Sequence, residues 1–149
     1  ILAYGTMAIE AAEAIDQLAG EYRVALYDAR FAKPVDVDLL RRLTAAGTPI
    51  VTVEDHGLEG GFGSCVIDAM VDAGLDTRGL TRLGIPDRWI HQGSRTWQLE
   101  EAGLDPASIA RHVRTVLDPG ASIATTGATT PTAARPMLAP DDPAPADGA

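Results

Sequence analysis

A single cysteine, Cys65, is the first limit that the sequence sets. One thiol excludes an internal disulfide and any multi-cysteine metal centre. Its place on the apolar side of a helical pattern reads as a small buried hydrophobe. Long apolar runs are also lacking, and none reaches the roughly 20 residues that a membrane-spanning helix needs. Basic clusters are lacking too. The net charge is −9, so no surface is offered to a nucleic-acid backbone, whose affinity rests on Lys and Arg. No signal peptide is visible, and the expected location is cytoplasmic. There is no internal repeat, no Ser-His-Asp triad and no metal quartet.

Aromatic residues are absent from 119–149, which hold six of the ten prolines among Ala, Thr, Gly and Asp. Ordering a chain costs roughly 1–2 kcal/mol per residue in backbone entropy. Such a segment has too little apolar surface to offset that cost. The expected organisation is one folded domain over 1–118 and a disordered tail over 119–149.

What is present over 1–118 alternates between two periods. Ile1–Tyr4 is an apolar run closed by Gly5-Thr6, as if the chain began inside a buried strand. Met7, Ala8, Ala11, Ala14, Ile15 and Leu18 follow at helical spacing, and Gly20 closes that helix. Tyr22–Tyr27 is rich in β-formers and predicts a second strand. Asp36 is placed to cap a helix with Val37, Leu40 and Leu43 on one face, ended by Gly47. Ile50–Val53 predicts a third strand. A helix with Val66, Ile67, Met70 and Val71 on one face follows the glycine-rich stretch 57–64. Leu80–Ile85 predicts a fourth strand, Trp97–Ala102 a short helix, and Asp105-Pro106 the start of a last one. The order βαβαβαβ plus two helices predicts an α/β fold, a three-layer α/β/α arrangement with a mainly parallel sheet.

Ligands of open α/β sheets lie beyond the carboxyl ends of the strands. Three segments fall there: 28–33, 54–64 and 86–94. Glu54-Asp55-His56 reads either as an acid/base group or half a metal site, or as a polar strand end that caps the next helix or meets a partner domain. The second reading is favoured, because two carboxylates and one His define no geometry. The stretch Gly57-Leu58-Glu59-Gly60-Gly61-Phe62-Gly63-Ser64 could cradle a small anion, with Gly61 and Ser64 as contacts. It is neither a Walker motif nor the dinucleotide fingerprint. A turn whose glycines allow close packing of helix and sheet is favoured over the anion site. Loop 84–94 gathers Asp87, Arg88, Trp89 and His91, a composition suited to a protein interface or a phosphate. The alternative is a loop in which Trp89 and Ile90 plug the sheet edge.

Five motifs carry a resemblance over residues 1–118. They are Leu2-Ala3-Tyr4-Gly5-Thr6-Met7, the run from Asp28 to Asp36, Val51-Thr52-Val53-Glu54-Asp55, Gly60-Gly61-Phe62-Gly63-Ser64, and Gly84-Ile85-Pro86-Asp87-Arg88-Trp89-Ile90-His91-Gln92-Gly93-Ser94. Together they resemble the C-terminal, transketolase-type domain of the 1-deoxy-D-xylulose-5-phosphate synthases. Related 2-oxo acid dehydrogenase beta subunits share the Arg-x-x-x-Pro-x-Asp pattern, here Arg30 to Asp36, but differ at 84–94. His56 stands where the family often carries Asn. The resemblance implies an enzyme that joins pyruvate to glyceraldehyde 3-phosphate with thiamine diphosphate and Mg²⁺, toward isoprenoid precursors, thiamine and pyridoxal. It also implies that the catalytic and cofactor residues lie in two other domains. No catalytic, cofactor or metal residue is carried onto this chain, and none of these groups is expected to bind it alone. Its implied role is packing against the N-terminal and pyrimidine-binding domains and building a homodimer. Glu54, His56, Gly61, Ser64, Asp87, Arg88 and His91 are the candidate interface or anion contacts. The competing expectations are a stand-alone small-anion-binding or dimerisation module of the same fold, or the C-terminal domain of a related transketolase or 2-oxo acid dehydrogenase beta subunit.

Overall fold

The computed structural model describes residues 1–120. The expected tail, from residue 121 onward, lies outside the described residues. Four parallel strands form one sheet in the order β2-β1-β3-β4: β1 (Leu2–Ala3), β2 (Tyr27–Asp28), β3 (Ile50–Gly57) and β4 (Leu80–Ile85). The helices are α1 (Met7–Leu18), α2 (Val37–Ala45), α3 (Phe62–Asp72), α4 (Arg95–Ala102) and α5 (Pro106–Leu117). None is long and apolar enough to cross a membrane.

Local chemistry sets most helix ends. Asp36 accepts from Leu39 N–H at 2.9 Å, Ser94 from Trp97 N–H at 3.2 Å, and Asp105 from Ser108 N–H at 3.1 Å. Pro106 opens α5, where its missing N–H costs nothing. Gly103 closes α4 at φ 71°, in the left-handed region that glycine enters freely.

The sheet divides the core in two. Met7, Ala14 and Leu18 of α1 pack with Ile109, Ala110 and Val113 of α5 against Val51, Val53 and Leu83. On the other face Leu39 and Leu40 of α2 and Phe62, Val66 and Met70 of α3 pack against Leu2 and Ile50. A sheet covered on both faces needs near-continuous apolar strands, which explains the unalternating Ile50–Val53. The three-layer expectation holds. The chain passes from β1 to β2 behind one face and from β2 to β3 behind the other, so both crossovers keep the same hand.

Some sequence expectations are corrected. The second strand is only Tyr27–Asp28, because among the described residues β-formers at 22–26 have no neighbouring strand to pair with. The third strand runs on to Gly57, and the fourth helix starts at Arg95, where Ser94 caps it. Val71 is exposed rather than buried with Val66 and Met70. Cys65 is only partly buried.

The α-amino group of Ile1 donates to Ala25 O at 2.7 Å, and burial holds its pKa down at about 6, from 8.0. Arg23 is the charged side chain lining the same recess. The unfolded amine therefore takes up a proton before the folded one as pH falls. Stability of the 149-residue chain should fall as pH drops from 8 toward 6, with no further loss from this group below that. A melting temperature flat between pH 6 and 8 would contradict this. N-terminal acetylation should remove the slope.

Candidate functional site

Strand order places a topological switch point between β1 and β3, since the chain leaves these neighbours in opposite directions. The register sets Ala3 beside Val53, so the turn after β1 meets the end of β3. Here Thr6, at the start of α1, does not cap its own helix. Its hydroxyl donates to Asp55 Oδ2 at 3.0 Å instead. Arg95, at the start of α4, donates to the same oxygen at 3.2 Å and to Thr6 Oγ1 at 2.8 Å. His56 Nδ1 lies 3.6 Å from Asp55 Oδ1, and its ring sits 5.5 Å from that of Tyr4. This network ties β1, β3 and α4 together at the centre of the carboxyl edge. Residues 6 and 95 had no local signal marking them; only the adjacency of β1 and β3 brings them to Asp55.

Glu54 sits one residue earlier and points the other way. It has no solvent exposure. Its two carboxylate oxygens accept from Phe62 N–H and, at 2.7 Å, from Gly63 N–H, the first amides of α3. These are orphan donors of a helix that has no side-chain cap of its own. A negative charge at a helix N-terminus also meets the positive end of its dipole. Glu54 is therefore a remote helix cap. Both of its oxygens are engaged inside the fold.

The glycine-rich stretch is explained by the same carboxylate. A Cβ on Gly61 would collide with the Glu54 carboxylate and with Gly57 O. One on Gly63 would lie 2.9 Å from Thr52 Oγ1 and from Arg82 Cδ, and one on Gly84 3.2 Å from Glu54 Cγ. Glycine at these places lets α3 and β4 close over Glu54. Ser64 Oγ accepts from Gly60 N–H at 3.1 Å and from Arg82 at 3.0 Å, and Arg82 also reaches Leu58 O at 2.9 Å. The amides that an anion would need are already taken by Glu54. The packing reading of the loop is the one that its geometry supports.

Loop 84–94 is anchored on α4. Arg88 does not pair with Asp87; it bonds the carboxylate and the backbone carbonyl of Glu101, stapling the loop to α4. Trp89 is 83% exposed and plugs nothing, while Ile90 is partly buried. The side chains of Asp87 and His91 are exposed and form no hydrogen bond among the described residues. Across the sheet, after β2, Phe31 is 67% exposed. The carboxyl edge thus carries a self-satisfied polar centre between two outward aromatic side chains. Among the described residues no three His, Cys, Asp or Glu side chains gather as a metal site.

Comparison with known proteins agrees with the motifs. The family model "Transketolase, C-terminal domain" matches residues 1–109. The 1-deoxy-D-xylulose-5-phosphate synthase of Cupriavidus necator is 45% identical over 116 residues, 76% of this chain and 17% of that protein. Those of Bacillus velezensis and Geobacillus thermodenitrificans are 40% and 41% identical, covering 80% and 78% of this chain. The chain spans about a fifth of the length of these relatives, 19% in both cases. Among solved structures, one described as "Split gene transketolase, inactive beta4 tetramer" superposes with a TM-score of 0.64 at 28% identity, covering 78% of this chain and 37% of that one. The motif resemblance, the parallel three-layer sheet and the family model agree: this chain belongs to the transketolase C-terminal domain family.

Proposed function

We propose that this chain is the C-terminal domain of a 1-deoxy-D-xylulose-5-phosphate synthase and serves that enzyme by docking rather than by chemistry. The observation that carries this reading is the match itself: synthases at 38–45% identity align over most of this chain, yet it spans only 17–19% of their length. The whole enzyme would condense pyruvate with glyceraldehyde 3-phosphate, releasing carbon dioxide. Thiamine diphosphate would supply the carbanion stabilisation that side chains cannot. The residues here do not fit that cofactor or its Mg²⁺. The sequence holds no Gly-Asp-Gly, and the one buried carboxylate among the described residues, Glu54, is spent on α3. No step is derived through the cofactor.

The docking face in this reading is the carboxyl edge, with Trp89 and Phe31 as apolar anchors and Asp87, Arg88 and His91 as its polar rim. Exposed Trp beside Arg suits the centre of an interface. The partners would be the N-terminal and pyrimidine-binding domains, within a cytoplasmic homodimer. Calorimetry on the 149-residue chain should show no thiamine diphosphate binding at micromolar concentration; clear binding would overturn the division of labour. Mixed with the separately expressed remainder of a related synthase, the chain should associate. Trp89→Ala should weaken that association about tenfold or more while leaving the melting temperature unchanged, because the ring is exposed. Unchanged association would remove Trp89 from the interface.

A further inference from the structure

Residues 86–102, the loop after β4 together with α4, are bonded mostly to one another. Arg88 bonds the carboxylate and the carbonyl of Glu101. Gln98 Nε2 donates to His91 O at 3.2 Å, and Ser94 accepts from Trp97 N–H. The Trp97 ring covers Gly93 so closely that a Cβ there would lie 2.5 Å from it. These ties pair the loop with the helix like the rungs of a hairpin. Apart from the turn that closes α4, the hydrogen bonds that leave this unit for the rest of the described domain all start from Arg95. Its guanidinium donates to Asp55 Oδ2 at 3.2 Å, Thr6 Oγ1 at 2.8 Å and Met7 Sδ at 3.7 Å. Leu99 is the one side chain of the unit that is buried. Between the unit and the end of the sheet lies a cavity of about 190 Å³, lined by Asp55, Ile85, Ile90 and Leu99 among others.

We infer that residues 86–102 swing as one rigid flap, hinged where it leaves Ile85 and at Gly103, and held closed by the clasp of Arg95 on Asp55 and Thr6. The chain is fixed on either side. Ile85 O accepts from Leu58 N–H at 2.9 Å before the flap, and Leu104 is buried after it. Gly103, at φ 71°, takes up a change of direction without a side-chain clash. A close-packed element resists displacement because every side chain loses contacts at once. This unit has one buried side chain, one polar clasp and a cavity behind it. Such segments open at a fraction of the free energy of global unfolding. Opening withdraws Leu99 and carries Trp89 along, so the clasp sets where that ring stands. The link to docking rests on Trp89 as an anchor; the flap itself does not.

Two measurements on the 149-residue chain test this. In hydrogen exchange, the α4 amides from Gln98 to Ala102 should open as a group before those of α1 and α5. Arg95→Ala should speed that group about fivefold or more and leave α1 and α5 within about twofold. Arg95→Lys, which keeps the charge, should recover part of the protection. In methyl relaxation dispersion, Ile90 and Leu99 should share one exchange rate that is absent from Ile109 and Val113. Equal acceleration in α1 and α5 would make the unit part of the global fold, and unchanged exchange in α4 would leave the clasp without effect; either overturns the inference. So would separate rates for Ile90 and Leu99, or no dispersion at either. If Trp89→Ala left association unchanged, the docking reading would fall and these results would still decide the flap.

Discussion

Replacing Glu54 by Ala is expected to cost about 3–4 kcal/mol, roughly 10–20 °C in melting temperature for a domain of this size. The carboxylate is buried and accepts from Phe62 and Gly63 N–H, so its loss leaves two amides facing a dry cavity. Each unsatisfied buried donor costs about 1–3 kcal/mol. Loss of the favourable charge–dipole contact adds a few tenths to about 1 kcal/mol. Glu54→Gln keeps the shape and one good acceptor but turns an NH₂ group toward one of the amides. It should cost about half as much. Urea titration of the three proteins measures this order directly. A Glu54→Ala variant within about 0.5 kcal/mol of the parent would show that the cap contributes nothing, and the account of the glycine-rich loop would fall with it.

The contrast between Glu54 and α1 shows what the sequence could reveal. The α1 helix was legible to the residue, Met7–Leu18, because Ala, Ile and Leu at helical spacing carry their own face and Gly20 follows. The caps Asp36 and Asp105 were equally legible, since each acts three residues along its own chain. Glu54 acts across eight and nine residues, after the loop has folded back. Its neighbours in sequence offered only a generic acidic cluster. Arg95, Asp55 and Thr6 are 40 and 89 residues apart along the chain, and no local window contains them. At 22–26 the error had another source. Composition reports that residues suit a strand, but pairing needs a neighbour, and β1 begins beside Leu26 and Tyr27. Trp89 was ambiguous for a third reason: an aromatic side chain in a loop suits a core plug and a surface anchor equally, and only its exposure decides.

Gly61→Ala should be the most costly single methyl in the loop, at about 2–3 kcal/mol. The backbone there is ordinary, φ −81°, so the cost is steric and not conformational. The new Cβ would collide with the Glu54 carboxylate and with the Gly57 carbonyl. Neither can retreat easily: the carboxylate is held by two amides, and the carbonyl belongs to the last residue of β3. The two substitutions should therefore not add. Once Glu54→Ala has emptied the site, the extra methyl has only Gly57 to displace. The double variant should be less destabilised than the sum of the singles by about 1 kcal/mol or more. Strict additivity would mean that Gly61 is required by the turn alone. Coupling of the expected sign would show that the glycine is there to let α3 close over a buried carboxylate.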